Sequence, residues 1–389
     1  MPTSPAPAGM PLLRLGFRPF YLGAAAAAVA LMGLWFFVFT GRLDLATGLA
    51  PVLWHSHEMI FGVVSAVVIG FLFTAGQAWT GLPTPRGAAL GSLVALWLAA
   101  RVAAVAAPYP VFFPLDASLL PLAAGVFAAH LVRARNYRNL PVALVLALLG
   151  LANAMFHLAV IGVLTIDARA TLDAGLALLI VLETVIGGRV IPMFTMNATP
   201  GLRLRGGGRR DLLTVALTFL GLGAWVFGVM PRLTAALLAA AAALHAWRAL
   251  SWAPWRTLGR PILAILHLAY AWIPAGLALL ALAVAQGSGE SPAVHALAVG
   301  ATGGLVIGMI TRTARGHTGR VLQASKIEVL AYVLVMAAAL VRVTAPLVWP
   351  TAYSLSLLAS GSLWMSAFAL YLWRYVPWLT APRVDGKDG

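Results

Sequence analysis

An all-α polytopic membrane protein is the fold class this sequence predicts, and three observations predict it. Of 389 residues, 61% are apolar and only 10% charged, and the mean hydropathy of +0.93 lies outside the range of soluble globular chains. The apolar residues gather into runs of about 20, the length an α-helix needs to cross the hydrocarbon of a bilayer. Short segments that hold most of the arginines separate those runs.

Twelve runs qualify, at roughly 19–40, 52–79, 86–107, 112–132, 140–164, 171–195, 211–230, 233–252, 261–285, 292–312, 326–345 and 351–376. The first lacks the short apolar core and clear cleavage site of a removable signal, so it stays as a span. Residues 1–18, opening MPTSPAPAGMP, precede it as a short tail that begins disordered, and residues 379–389 follow the last span as another. The loops are short throughout, so residues 19–378 read as a single domain. Twenty of the 26 basic residues fall on the side of the N-terminus, including Arg14, Arg18, Arg86, Arg133, Arg203, Arg205, Arg209, Arg210, Arg374 and Arg383. Arg42, Arg101, Arg169, Arg232 and Arg342 fall on the other side, and Arg189 lies within a span. Basic loops stay in the cytoplasm, so both termini are cytoplasmic.

The same arginines account for the net charge of +15 as topology anchors, not as a face for nucleic acid. The absence of cysteine excludes disulfides, iron–sulfur clusters, thiolate ligation and covalent c-type haem, so any haem must be held by non-covalent ligation, and a b-type haem is expected. The tryptophans, among them Trp54, Trp79, Trp252 and Trp349, fall near span ends and read as an aromatic belt.

One long run repeats. Trp54 to Gly81 and His295 to Gly319 share a layout: counting from His57 and His295, Gly stands five residues on (Gly62, Gly300), then Ile69-Gly70 and Ile307-Gly308, then Thr80-Gly81 and Thr318-Gly319. The offset of 238 residues spans eight helices, which divides twelve helices into three sets of four and argues against a transporter plan of two six-helix halves.

Ionisable groups in hydrocarbon are costly and therefore mark functional sites. His55, His57, His157 and His295 are expected at one depth near the outer surface, at 1.5 Å of rise per residue. His55 and His57 point about 200° apart and do not share a metal easily. His55 shares a face with Glu58 and Met59, which leaves His57, matched by the repeat, as an axial haem ligand opposite His295. His55 with Glu58 then supplies a second metal, or Glu58 orients an imidazole from behind. Asn153, one turn before His157, suits it as a hydrogen-bond partner. Toward the cytoplasm stand His267, Glu183 and Arg189, then Arg312, Arg315, His317 and Arg320, where guanidinium groups suit carboxylates such as haem propionates. Glu183, near mid-membrane, suits a proton path or a metal site. His130 and His245 stand beside arginines at helix ends and read as structural.

Trp54-His55-Ser56-His57-Glu58-Met59 with Trp79-Thr80-Gly81, Gly188-Arg189-Val190-Ile191-Pro192 with Asn197, His267-Leu268-Ala269-Tyr270-Ala271-Trp272, and Gly316-His317-Thr318-Gly319-Arg320 resemble the NnrS family. The resemblance runs from Arg18-Pro19-Phe20 almost to the C-terminus. It implies an inner-membrane protein of about twelve helices that carries haem and copper, in bacteria that make or meet nitric oxide, with a role in protection from nitrosative stress. At the level of fold the chain also resembles the catalytic subunit of haem–copper oxidases and nitric-oxide reductases, in which twelve helices form three four-helix arcs and a haem lies between histidines of helices 2 and 10. Helices 6 and 7 here lack the histidines that bind the second metal there. A binuclear centre would have to be built from His55, Glu58, His157, Glu183 or His267.

The function expected is a haem protein, with or without copper, that binds nitric oxide in the membrane and either reduces it to nitrous oxide or limits its damage. Reduction needs electrons, from a quinol or a periplasmic donor, and protons, for which Glu58 and Glu183 are the candidate catalytic acids. The competing class is a transporter or metal- and haem-handling protein, in which the same histidines pass a cargo across the bilayer.

Overall fold

A backbone in hydrocarbon must satisfy its own hydrogen bonds, and a helix does so within one segment. The computed structural model describes residues 9–204 and 208–387, and among these there is no strand. Twelve long helices follow in order: α1 (Phe17–Phe39), α2 (Pro51–Thr80), α3 (Ala88–Ala106), α4 (Tyr109–Arg133), α5 (Leu140–Val160), α6 (Ala168–Ala198), α7 (Arg209–Val226), α8 (Pro231–Ser251), α9 (Pro261–Gln286), α10 (Glu290–His317), α11 (Lys326–Val348) and α12 (Tyr353–Leu379). Each expected run has its helix. Eleven helices are long and apolar enough to cross a membrane. The remaining one, α7, opens with Arg209, Arg210 and Asp211, which dilute its apolar stretch. The expected disorder of residues 1–8 and the placing of Arg205 concern residues outside those described.

The sequence repeat has a structural counterpart. In α2 the segment Glu58–Val64 is wound as a π-helix, and in α10 so is Ala296–Gly303, each beginning at the residue after its histidine, His57 or His295. Such wide turns are rare and concentrate at functional sites. The shared glycine sits inside each. A Cβ at Gly62 would stand 2.6 Å from Arg101 Nη1, and one at Gly300 would stand 2.5 Å from the Trp272 ring. An indole has no flexible end to move aside, so Gly300→Ala is expected to destabilise the protein by about 1–3 kcal/mol, read as a lower midpoint of thermal unfolding in detergent.

By contacts the chain divides into two compact units, a different partition from three sets of four. The first comprises Met1–Leu164, Ile310–Leu322 and Phe368–Gly389, and the second Thr165–Met309 and Gln323–Ala367. Within the first, Arg18 on α1 is fully buried, and its Nη1 donates to the carbonyls of Leu379 and Ala381 at 2.8 Å each. The last carbonyls of a helix have no partner inside it, and here a guanidinium from the start of α1 satisfies those at the end of α12. The start of α1 and the end of α12 therefore meet within the first unit. Trp54 and Trp252, expected in an aromatic belt, are instead 0% and 2% exposed, whereas Trp349 is 68% exposed.

Candidate metal centre

Four helices of the first unit converge on one buried polar cluster. The start of the π segment in α2 presents His57 and Glu58, α3 presents Arg101 near its C-terminal end, α4 presents Asp116 two turns in, and α5 presents Asn153 and His157 one turn apart. His57, Glu58 and His157 are 0% exposed. Arg101 Nη1 donates to Glu58 Oε1 at 2.7 Å, and its Nη2 reaches Asp116 Oδ1. The missing side chain at Gly62 lets the guanidinium pass against α2.

The imidazoles are held in a specific sense. His57 Nε2 lies 3.2 Å from Asp116 Oδ2, and His157 Nε2 lies 3.0 Å from the same oxygen. His57 Nδ1 is 3.1 Å from Glu58 Oε1, and His157 Nδ1 is 2.8 Å from the Tyr109 hydroxyl. Both rings are thus steered through Nδ1 by a side chain behind them and aim Nε2 at one carboxylate. Metal-binding histidines are arranged in this way, with the outer partner fixing tautomer and orientation. One ligand atom each from His57, Asp116 and His157 falls within 4.8 Å of the others.

Charge counting points the same way. Asn153 Nδ2 donates to Asp116 Oδ2 at 2.7 Å, so its Oδ1 is turned toward His57 Nε2, at 2.9 Å. Every polar atom around His57 is therefore an acceptor. Two carboxylates face one guanidinium, so the buried cluster lacks one positive charge. A proton on one of the carboxyls, a second proton on the His57 imidazole or a cation among the three ligands restores the balance, since buried charges persist only when compensated.

The other expected site residues of the first unit have partners of their own. His55 stacks on Trp35, with centroids 4.4 Å apart, and Glu58 turns to His57 instead of completing a site with His55. His317 packs against the Phe17 ring at 5.5 Å, and Arg312, half-buried, precedes it on α10. His57 is boxed by Phe61, Phe112 and Phe156, with centroids 4.7 to 5.5 Å away. It is bonded at both ring nitrogens, so as placed it offers no open face to a porphyrin.

In the second unit, His295 Nδ1 donates to the Ser291 carbonyl at 2.7 Å, which makes Nε2 the nitrogen with the lone pair. His267 takes the opposite tautomer. The Thr195 hydroxyl donates to the Ile191 carbonyl at 2.9 Å and so accepts from His267 Nε2 at 2.8 Å, leaving Nδ1 buried without a partner. The half-buried Glu183 packs beside the Thr302 hydroxyl, with its Oε2 enclosed. Arg189 is exposed on α6. His245 joins a second network: its Nδ1 meets the Tyr270 hydroxyl at 2.7 Å, and Arg248 reaches that hydroxyl at 3.1 Å and pairs with Asp211 at 2.8 Å. A Cβ at Gly188 would overlap the Arg248 guanidinium, which explains the glycine of that motif.

Sequence reasoning missed Asp116, Tyr109 and the role of Arg101, and it gave Asn153 to His157 when its amide serves His57 and Asp116. Asp116 and Arg101 carried the signal that marked Glu183, an ionisable group inside an apolar run. Arg101 and Arg342, placed among the outer topology anchors, are instead buried on helices, at 5% and 7% exposure.

No curated protein matches the chain. The family model described as NnrS protein matches residues 11–383, nearly the whole length. With eleven membrane-length helices and a buried polar centre, the chain belongs to the NnrS family, a membership that fits a membrane protein of the nitric-oxide response.

Proposed function

We propose that this is a nitric-oxide-binding metalloprotein of the bacterial inner membrane, with both termini cytoplasmic. In this reading His57 Nε2, His157 Nε2 and Asp116 hold a redox-active transition ion, and His295 ligates a non-covalent b-type haem in the second unit. The observation that carries it is the aim of two Nε2 atoms at one carboxylate oxygen, each ring steered from behind. Imidazole with carboxylate suits iron, copper or zinc, and copper is the ion the family resemblance implies. His295 fits an axial ligand because a backbone carbonyl holds its Nδ1–H, as is usual for imidazoles that bind metal through Nε2.

When bound, such metals supply an electron-rich centre for a diatomic radical. The chain's own residues do the rest. Phe61, Phe112 and Phe156 keep water from His57, and nitric oxide, small and apolar, arrives through lipid. Arg101 holds Glu58 and Asp116 in place. The enzymatic form of this reading is reduction, in which two nitric oxides, two electrons and two protons give nitrous oxide and water. The electrons would come from a quinol or a periplasmic protein, and Glu58 and Glu183 would be the acids.

The test is metal and haem analysis of detergent-purified protein from metal-replete cells, with optical spectra before and after nitric oxide. One transition ion per chain and a Soret band that moves on adding nitric oxide are expected. A colourless preparation free of transition metal would sink the reading.

A further inference from the structure

The second unit repeats the Arg101 arrangement with its acids left out. In the first unit the helix after the π-bearing α2 brings Arg101 against Glu58 and Asp116. In the second, the helix after the π-bearing α10 carries Arg342, likewise near its C-terminal end, and there it meets hydroxyls. Nη2 donates to the Tyr353 hydroxyl at 3.1 Å and to Ser291 Oγ at 3.4 Å, and Cζ lies 5.2 Å over the Tyr353 ring. Arg342 is more than nine-tenths buried, and its Nη1 is enclosed without a hydrogen-bond partner.

No carboxylate among the described residues pairs with it. Glu290, beside Ser291, is taken by Arg169 at 3.0 Å and by the Trp225 indole at 3.3 Å. Leaving a buried charge uncompensated is strongly destabilising, whereas a planar anion satisfies a guanidinium through two parallel hydrogen bonds.

We propose that Arg342, Tyr353 and Ser291 form a binding site for one carboxylate group. Nη1 takes one of its oxygens, and Nη2 takes the other by exchanging its long contact with Ser291 Oγ, 3.4 Å, for the carboxylate, which frees the Ser291 hydroxyl to donate at the rim. His295 stands beside the site through the Ser291 carbonyl. The carboxylate belongs either to a small free acid or to the acid arm of a larger cofactor such as a metalloporphyrin. The site needs neither the metal centre of the first unit nor a haem on His295.

Thermal unfolding of the purified full chain tests this, with sodium acetate replacing sodium chloride at constant ionic strength. Acetate is expected to raise the midpoint saturably. Arg342→Met is expected to start from a higher midpoint without acetate, because an uncompensated charge is gone, and to show no acetate response. A merely structural arginine would give a lower midpoint instead, and that result overturns the proposal. Tyr353→Phe and Ser291→Ala keep the charge and should weaken the acetate response.

A second arm compares iron protoporphyrin IX with its dimethyl ester. A preference of at least tenfold for the free acid, lost in Arg342→Met, assigns the carboxylate to a cofactor. An acetate response without that preference assigns it to a free acid. A wild-type chain indifferent to acetate, and to acid against ester, refutes the site.

Discussion

Arg101→Ala is expected to cost about 3–5 kcal/mol of stability, the usual result of removing one partner from a buried ion pair. Nη1 sits 2.7 Å from Glu58 Oε1, Nη2 reaches Asp116, and the side chain is 5% exposed. Without it, two carboxylates stay buried with no fixed cation, and the glycine at 62 leaves nothing to fill the space. Unfolding of the detergent-solubilised protein, followed by size exclusion after heating, reads the loss. Arg101→Lys should fall between, because one ammonium does not match two carboxylates as a planar fork does. Adding Glu58→Gln and Asp116→Asn to Arg101→Ala should recover part of the loss by removing the stranded charges. If Arg101→Ala unfolds within about 1 kcal/mol of wild type, the cluster is not the ionic keystone described.

Asp116→Asn is expected to lower affinity for a transition ion by more than about a hundredfold. Removing groups behind a ligand costs 10- to 100-fold, and Asp116 is the ligand itself. The substitution keeps the shape of the side chain while deleting the anion at which both Nε2 atoms aim. His57→Ala and His157→Ala should act similarly, and Tyr109→Phe should give a smaller loss because it touches only His157 Nδ1. Competition with a chelator of known affinity measures all four. His295→Ala is the control: it should leave this affinity unchanged while abolishing the haem absorption. Full metal content in Asp116→Asn would move the metal elsewhere.

The helices were legible because hydrocarbon rewards one pattern. An apolar run at 52–79 became Pro51–Thr80, and one at 261–285 became Pro261–Gln286. The repeat was legible too, and its shared glycine at the fifth position proved to be the residue that the π turn places against Arg101 or Trp272. Convergence was not legible. Nothing within 101–157 says that Arg101, Asp116 and Asn153 face His57, because that depends on which helices touch. Counting basic residues by side hid Arg101 and Arg342, since an arginine near a helix end looks the same whether it snorkels to water or turns inward to an acid or a hydroxyl. Glu58 was seen, and its Oε1 lies 3.1 Å from His57 Nδ1.

The π turns bear on the history of the chain. Each is an α-helix with surplus backbone, the trace left when a residue is inserted and the flanking helix keeps its place. Both copies carry that surplus immediately after a histidine and around a glycine, 238 positions apart. The two segments therefore share one local design, an imidazole at the mouth of a widened turn. The designs differ in what surrounds them: acids face His57 and Arg101 in the first, and hydroxyls face Arg342 in the second.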